Sequence, residues 1–187
     1  MARQKDLMMR RLVVAAAMLA AGPALGQITP LPEPLVAGEA TEVVTFKPAA
    51  LAWAMKPGRN SVGGDAFMRT RGGQVITCAG GPVRLLPMAE YTRTFVQDTF
   101  GSAEGGAVRL EKADKRWGWV DANAFRYFPE TRCNSRGEFT FAGLPDGSYY
   151  VIARVTWEAL GGEPQGGEIA QLVRLIGGQT VTVSLTP

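Results

Sequence analysis

The sequence predicts a mainly β protein built as a β-sandwich, and three observations carry that expectation. Apolar and polar residues alternate with period two over several short runs. Gly-Gly and Asp-Gly pairs separate those runs and supply the positive φ that tight hairpins need. The 23 glycines, many of them paired, argue for turns and against long helices.

Taken in order, residues 1–26 read as a cleaved export signal. Arg3, Lys5, Arg10 and Arg11 form a positive start, residues 12–21 an unbroken apolar run, and Ala24-Leu25-Gly26 a small-residue site that places the cut before Gln27. Residues 27–40 follow as a Pro-rich linker, with Pro30, Pro32 and Pro34 favouring an extended spacer. Residues 41–187 are expected to form a single domain. Its segment 41–61 should pack on the rest, with Trp53 holding a short helix against the sheets.

Gly72-Gly73 divides two strand-like runs, 65–71 and 74–78. A short helical insert is expected between Met88 and Phe128. Met88, Tyr91, Phe95 and Phe100 fall near one stripe between Pro87 and Gly101, and a second short helix is expected near 121–125. The charged stretch 111–116 alternates in sign and reads as a solvated loop. Beyond the insert, Phe139 and Phe141 share one face, as do Tyr149, Val151, Ala153, Val155 and Trp157, and then Val181, Val183 and Leu185. Asp146-Gly147 and Gly177-Gly178 stand between these runs as turn signals.

Composition removes several functions. The chain has no histidine, which excludes Ser-His-Asp and Cys-His catalysis and His-ligated metals. Two cysteines cannot build a four-cysteine zinc site. In an oxidising compartment Cys78 and Cys133 are expected to pair as a structural disulfide closing a loop of about 56 residues, a stabilisation of roughly 4 kcal/mol. The net charge of +3 resides in the signal. Removing its four basic residues and one acidic residue leaves 16 of each sign. A neutral chain has no long-range attraction for phosphates, so no nucleic-acid partner is expected. No second apolar stretch reaches membrane-spanning length, so no membrane span is expected after signal cleavage. No motif marks a catalytic residue, a metal site or a cofactor, and none is assigned.

The stretch Asn134-Ser135-Arg136-Gly137-Glu138-Phe139-Thr140-Phe141-Ala142-Gly143-Leu144-Pro145-Asp146-Gly147-Ser148-Tyr149-Tyr150-Val151 resembles the carboxypeptidase regulatory-like domain. The resemblance is close over 134–157 and loose over 62–187. It implies a transthyretin-like, seven-stranded Greek-key sandwich, here standing alone with no peptidase domain attached. Phe139 and Phe141 would then fill the space between sheets, Leu144 would cap the core, and the Tyr149 hydroxyl would reach backbone. The resemblance speaks for a scaffold and not for an activity. The hydroxyisourate hydrolases of the same fold group need histidines, which this chain lacks.

The expected function is therefore that of an exported (periplasmic or extracellular), non-enzymatic module binding a protein or cell-envelope component. The alternative is a carbohydrate-binding module using exposed aromatics. Trp117 and Trp119 are its candidates, because in an extended segment they would share one face beside the charged loop.

Overall fold

The computed structural model describes residues 44–159 and 161–187. The expected signal (1–26) and linker (27–40) lie outside the described residues. The fold is mainly β, with two facing sheets and a layer of short helices. Nine strands are present among the described residues, where the resemblance implied seven. Two of them give no alternating apolar pattern: β4 (Gly105–Arg109) begins with two glycines, and β5 (Glu130–Arg132) has only three residues.

The smaller sheet is organised on β1 (Asn60–Arg69), which pairs with β2 (Val75–Thr77), β6 (Glu138–Leu144) and β9 (Thr180–Leu185). The β1–β9 pairing is parallel, with Val62 beside Val181; the other two are antiparallel. The larger sheet has the order β4-β8-β7-β3-β5 and is antiparallel throughout, with β3 at Pro82–Pro87, β7 at Gly147–Glu158 and β8 at Pro164–Leu175.

The main core fills the space between the sheets. Val62, Phe139, Phe141 and Leu185 of the smaller sheet meet Leu85, Tyr149, Val151 and Ile169 of the larger one. Leu144 is buried, and the Tyr149 hydroxyl donates to the Pro145 carbonyl at 3.1 Å. A second core lies on the other face of the larger sheet. Strand β7 is consequently buried on both faces, Tyr149, Val151 and Ala153 toward one core and Tyr150 and Ile152 toward the other.

The insert supplies the cover for that second core. Helix α1 (Pro48–Leu51) precedes it in the chain, and the insert contributes α2 (Glu90–Phe100), α3 (Leu110–Trp117) and a 3₁₀ segment at Ala122–Tyr127. At the start of α2, the Thr92 hydroxyl accepts from the Ala89 N–H and donates to the Pro87 carbonyl. Gly101 ends the helix in the left-handed region, where a residue with a Cβ is strained. The charged stretch 111–116 is helical rather than a solvated loop. Leu110, Ala113 and Trp117 fall on one side, and Ala113 and Trp117 are buried. Glu111 in its first turn and Lys115 and Arg116 in its last complement the helix dipole.

Of the three turn signals, Gly72-Gly73 closes the β1–β2 hairpin. Asp146-Gly147 and Gly177-Gly178 instead carry the chain from one sheet to the other, since β6 and β9 lie in the smaller sheet and β7 and β8 in the larger. The fully buried Asn60 amide ties both crossings together. It donates to the Leu144 carbonyl and to Asp146 Oδ1, and accepts from the N–H groups of Gly178 and Gln179. Trp53 packs against Tyr149 with ring centroids 5.2 Å apart, over Gly147; a Cβ there would come within 2.3 Å of the indole. Cys78 and Cys133 form the expected disulfide, Cα atoms 5.8 Å apart, joining the end of β2 to the end of β5 on either side of the insert.

Candidate functional site

The two tryptophans singled out by sequence do not form a shared surface. Because 110–117 is helical, Trp117 ends α3 facing the second core, 9% exposed, while Trp119 follows in the turn, 69% exposed. Trp117 is fully engaged. Its indole N–H donates to Glu168 Oε2 at 2.6 Å, the Phe95 ring packs at a tilt with centroids 4.7 Å apart, and the Arg84 guanidinium lies 4.8 Å from its ring. Glu168 is buried on β8 and also takes Arg154, which reaches on to Asp114. Burial alone would lower the Arg154 pKa, but the two carboxylates outweigh it and raise it. This cluster clamps α3 onto the sheet, and each of its groups already has a partner. The Arg116 guanidinium lies 5.1 Å from the Trp119 ring and also reaches Asp98.

A further aromatic stands, partly exposed, at the end of the sandwich. Trp157 is the last member of the inward row of β7, two residues beyond buried Val155, and is only partly covered by the main core. It pairs across the β7–β8 ladder with Gln165. Three segments converge there, namely the β1–β2 turn with Arg69, Thr70 and Arg71, the β4–α3 junction with Arg109, Leu110 and Glu111, and the β7–β8 hairpin with Glu163, Gln165 and Gly166. Pairing of Arg109 with Gly167 brings the second of these beside the third. Together they enclose a groove of about 730 Å³. Among the described residues, no aromatic ring stacks on Trp157 and its indole N–H has no partner. Arg69, Arg71 and Arg109 are exposed and, among the described residues, carry no ion pair or side-chain hydrogen bond.

A second concavity, about 560 Å³, lies on the outer face of the smaller sheet over Gly63 and Gly64, rimmed by Ser61, Thr140, Thr180 and Thr182. It offers hydroxyl groups and the charged Asp65, Arg136 and Glu138, and its one aromatic lining residue, Phe139, is buried in the main core. Among the described residues no group of three or more His, Cys, Asp or Glu could hold a metal ion, and no helix is long and apolar enough to cross a membrane.

Sequence reasoning placed Trp157 in a strand face but did not see it as a site. The signal was its position at the open end of an inward row. The arginines were invisible, because Arg69 and Arg109 are brought to Trp157 only by the sheet topology.

No protein-family model matches the sequence, and no curated protein is significantly similar to it. Among solved structures, the chain is similar to a Pseudomonas aeruginosa protein provisionally described as a carbohydrate binding protein. The two share 25% sequence identity and superpose with a TM-score of 0.64 over 77% of this chain and 99% of the other.

Proposed function

We propose that the protein is a non-enzymatic carbohydrate-binding module and that the groove around Trp157 is its binding site. The observation that carries this reading is a partly exposed indole in the groove lining, with no ring stacked on it and no partner for its N–H among the described residues, set between three segments rich in hydrogen-bonding side chains. A sugar ring needs that combination. Its C–H faces pack on an aromatic plane, and its hydroxyls take donors and acceptors at the rim. The likeness to a protein provisionally described as carbohydrate binding supports the same reading. The proposal takes up the carbohydrate alternative and moves it from Trp117 and Trp119 to Trp157. The resemblance of 134–157 to the carboxypeptidase regulatory-like domain supports a scaffold role, and the Cys78–Cys133 bridge supports an exported one.

The test is titration calorimetry against a panel of oligosaccharides, with Trp157→Ala beside the wild type. Removing the stacking surface should weaken binding about tenfold or more, the effect of losing a central aromatic anchor. Trp119→Ala should leave affinity within about twofold. Equal binding by wild type and Trp157→Ala would place the site elsewhere.

A further inference from the structure

We infer that the saccharide taken by the Trp157 groove is acidic, with its carboxylates received by Arg69, Arg71 and Arg109; this rests on the carbohydrate reading above. Among the described residues the ion-paired arginines, Arg84, Arg116, Arg136 and Arg154, all lie outside the groove. The groove gathers three arginines without carboxylate partners among the described residues, two from the β1–β2 turn and one from the end of β4. Each offers a planar fork of donors suited to a carboxylate. Glu111 and Glu163 also line the groove, and neither lies within ion-pair distance of these guanidiniums. They leave a local surplus of one positive charge and can accept from sugar hydroxyls. The aromatic plane and the guanidiniums thus present two recognition elements together, one for a pyranose ring and one for an acid group on it. The 16-to-16 charge balance of residues 27–187 supplies no general attraction for polyanions, so any acid preference must arise locally.

Oligogalacturonate and its fully methyl-esterified form make a matched pair of probes, with the same rings and linkages and the charge removed. Wild-type protein should bind the acid form roughly tenfold more tightly than the ester. The triple variant Arg69→Gln/Arg71→Gln/Arg109→Gln should lose that preference, and Trp157→Ala should weaken both forms. The three arginines are exposed and unpaired, so the triple variant should melt within about 2 °C of wild type. Equal affinity for acid and ester, or binding only to neutral members of the panel, would overturn the acid inference while leaving the carbohydrate reading standing. Binding to no saccharide would overturn both. Equally tight binding of polyglutamate, unaffected by Trp157→Ala, would show simple charge attraction and overturn both as well.

Discussion

At the scale of single residues, the informative groups are two carboxylates, exposed Asp146 and buried Glu168. Asp146 accepts from the Asn60 amide and from the Gly177 N–H, and those bonds, the first larger, hold its pKa below the usual aspartate value of 3.8. A depressed folded pKa contributes stability that is complete above pH 3.8 and lost as the pH falls through the folded value. Asp146→Asn keeps an acceptor but does not titrate. The melting-temperature gap between wild type and this variant should therefore be constant from about pH 7 to pH 5 and narrow by about pH 2; a gap that holds constant at all pH values would contradict the assigned role. Glu168 is the other case. Its carboxylate is shared by Arg154 and the Trp117 indole, and Asp114 would remain for Arg154 after its removal. Glu168→Ala should therefore cost about 3 kcal/mol in urea denaturation, at the lower end for a broken buried pair. A loss below about 1 kcal/mol would mean that the clamp on α3 contributes little.

At the scale of elements, the disulfide, the Phe139/Phe141 row, both faces of β9 and the Trp53 strap could all be read from sequence, because each rests on local alternation or on a pair of unique residues. Removing the bridge with Cys78→Ala/Cys133→Ala should lower stability by about 4 kcal/mol, the chain-entropy value for a loop of this length. A change under about 1 kcal/mol would show that the insert is held by its second core alone. That second core was not legible. Ala113 and Trp117 are separated by charged residues in the sequence, and only the 3.6-residue period aligns them against β7 and β8. The Asp146-Gly147 and Gly177-Gly178 signals mark reversals of the chain, but the hairpins expected there are crossings between sheets. Positive φ is needed equally for a hairpin and for a crossing between sheets, and the choice depends on partners far away in the chain.

At the scale of the whole molecule, the helical layer on one face of the larger sheet leaves the ends of the sandwich as the places where loops converge. The groove at one end illustrates why the site was harder to read than the fold. Trp157 and Gln165 are joined by a hairpin, but Arg69, Arg71 and Arg109 come from elements whose neighbourhood exists only after the β1–β2 and β4–β8 pairings form. Proximity in the sequence favours Trp117 and Trp119; folding buries Trp117, leaves Trp119 exposed in a turn and sets the partly exposed Trp157 in the lining of a groove. The four tryptophans each give a separate indole N–H resonance in a ¹⁵N–¹H correlation spectrum. Titration with a binding oligosaccharide should move the Trp157 indole signal saturably and leave that of Trp119 in place. A saturable shift confined to Trp119, with Trp157 unmoved, would contradict the assignment of the groove.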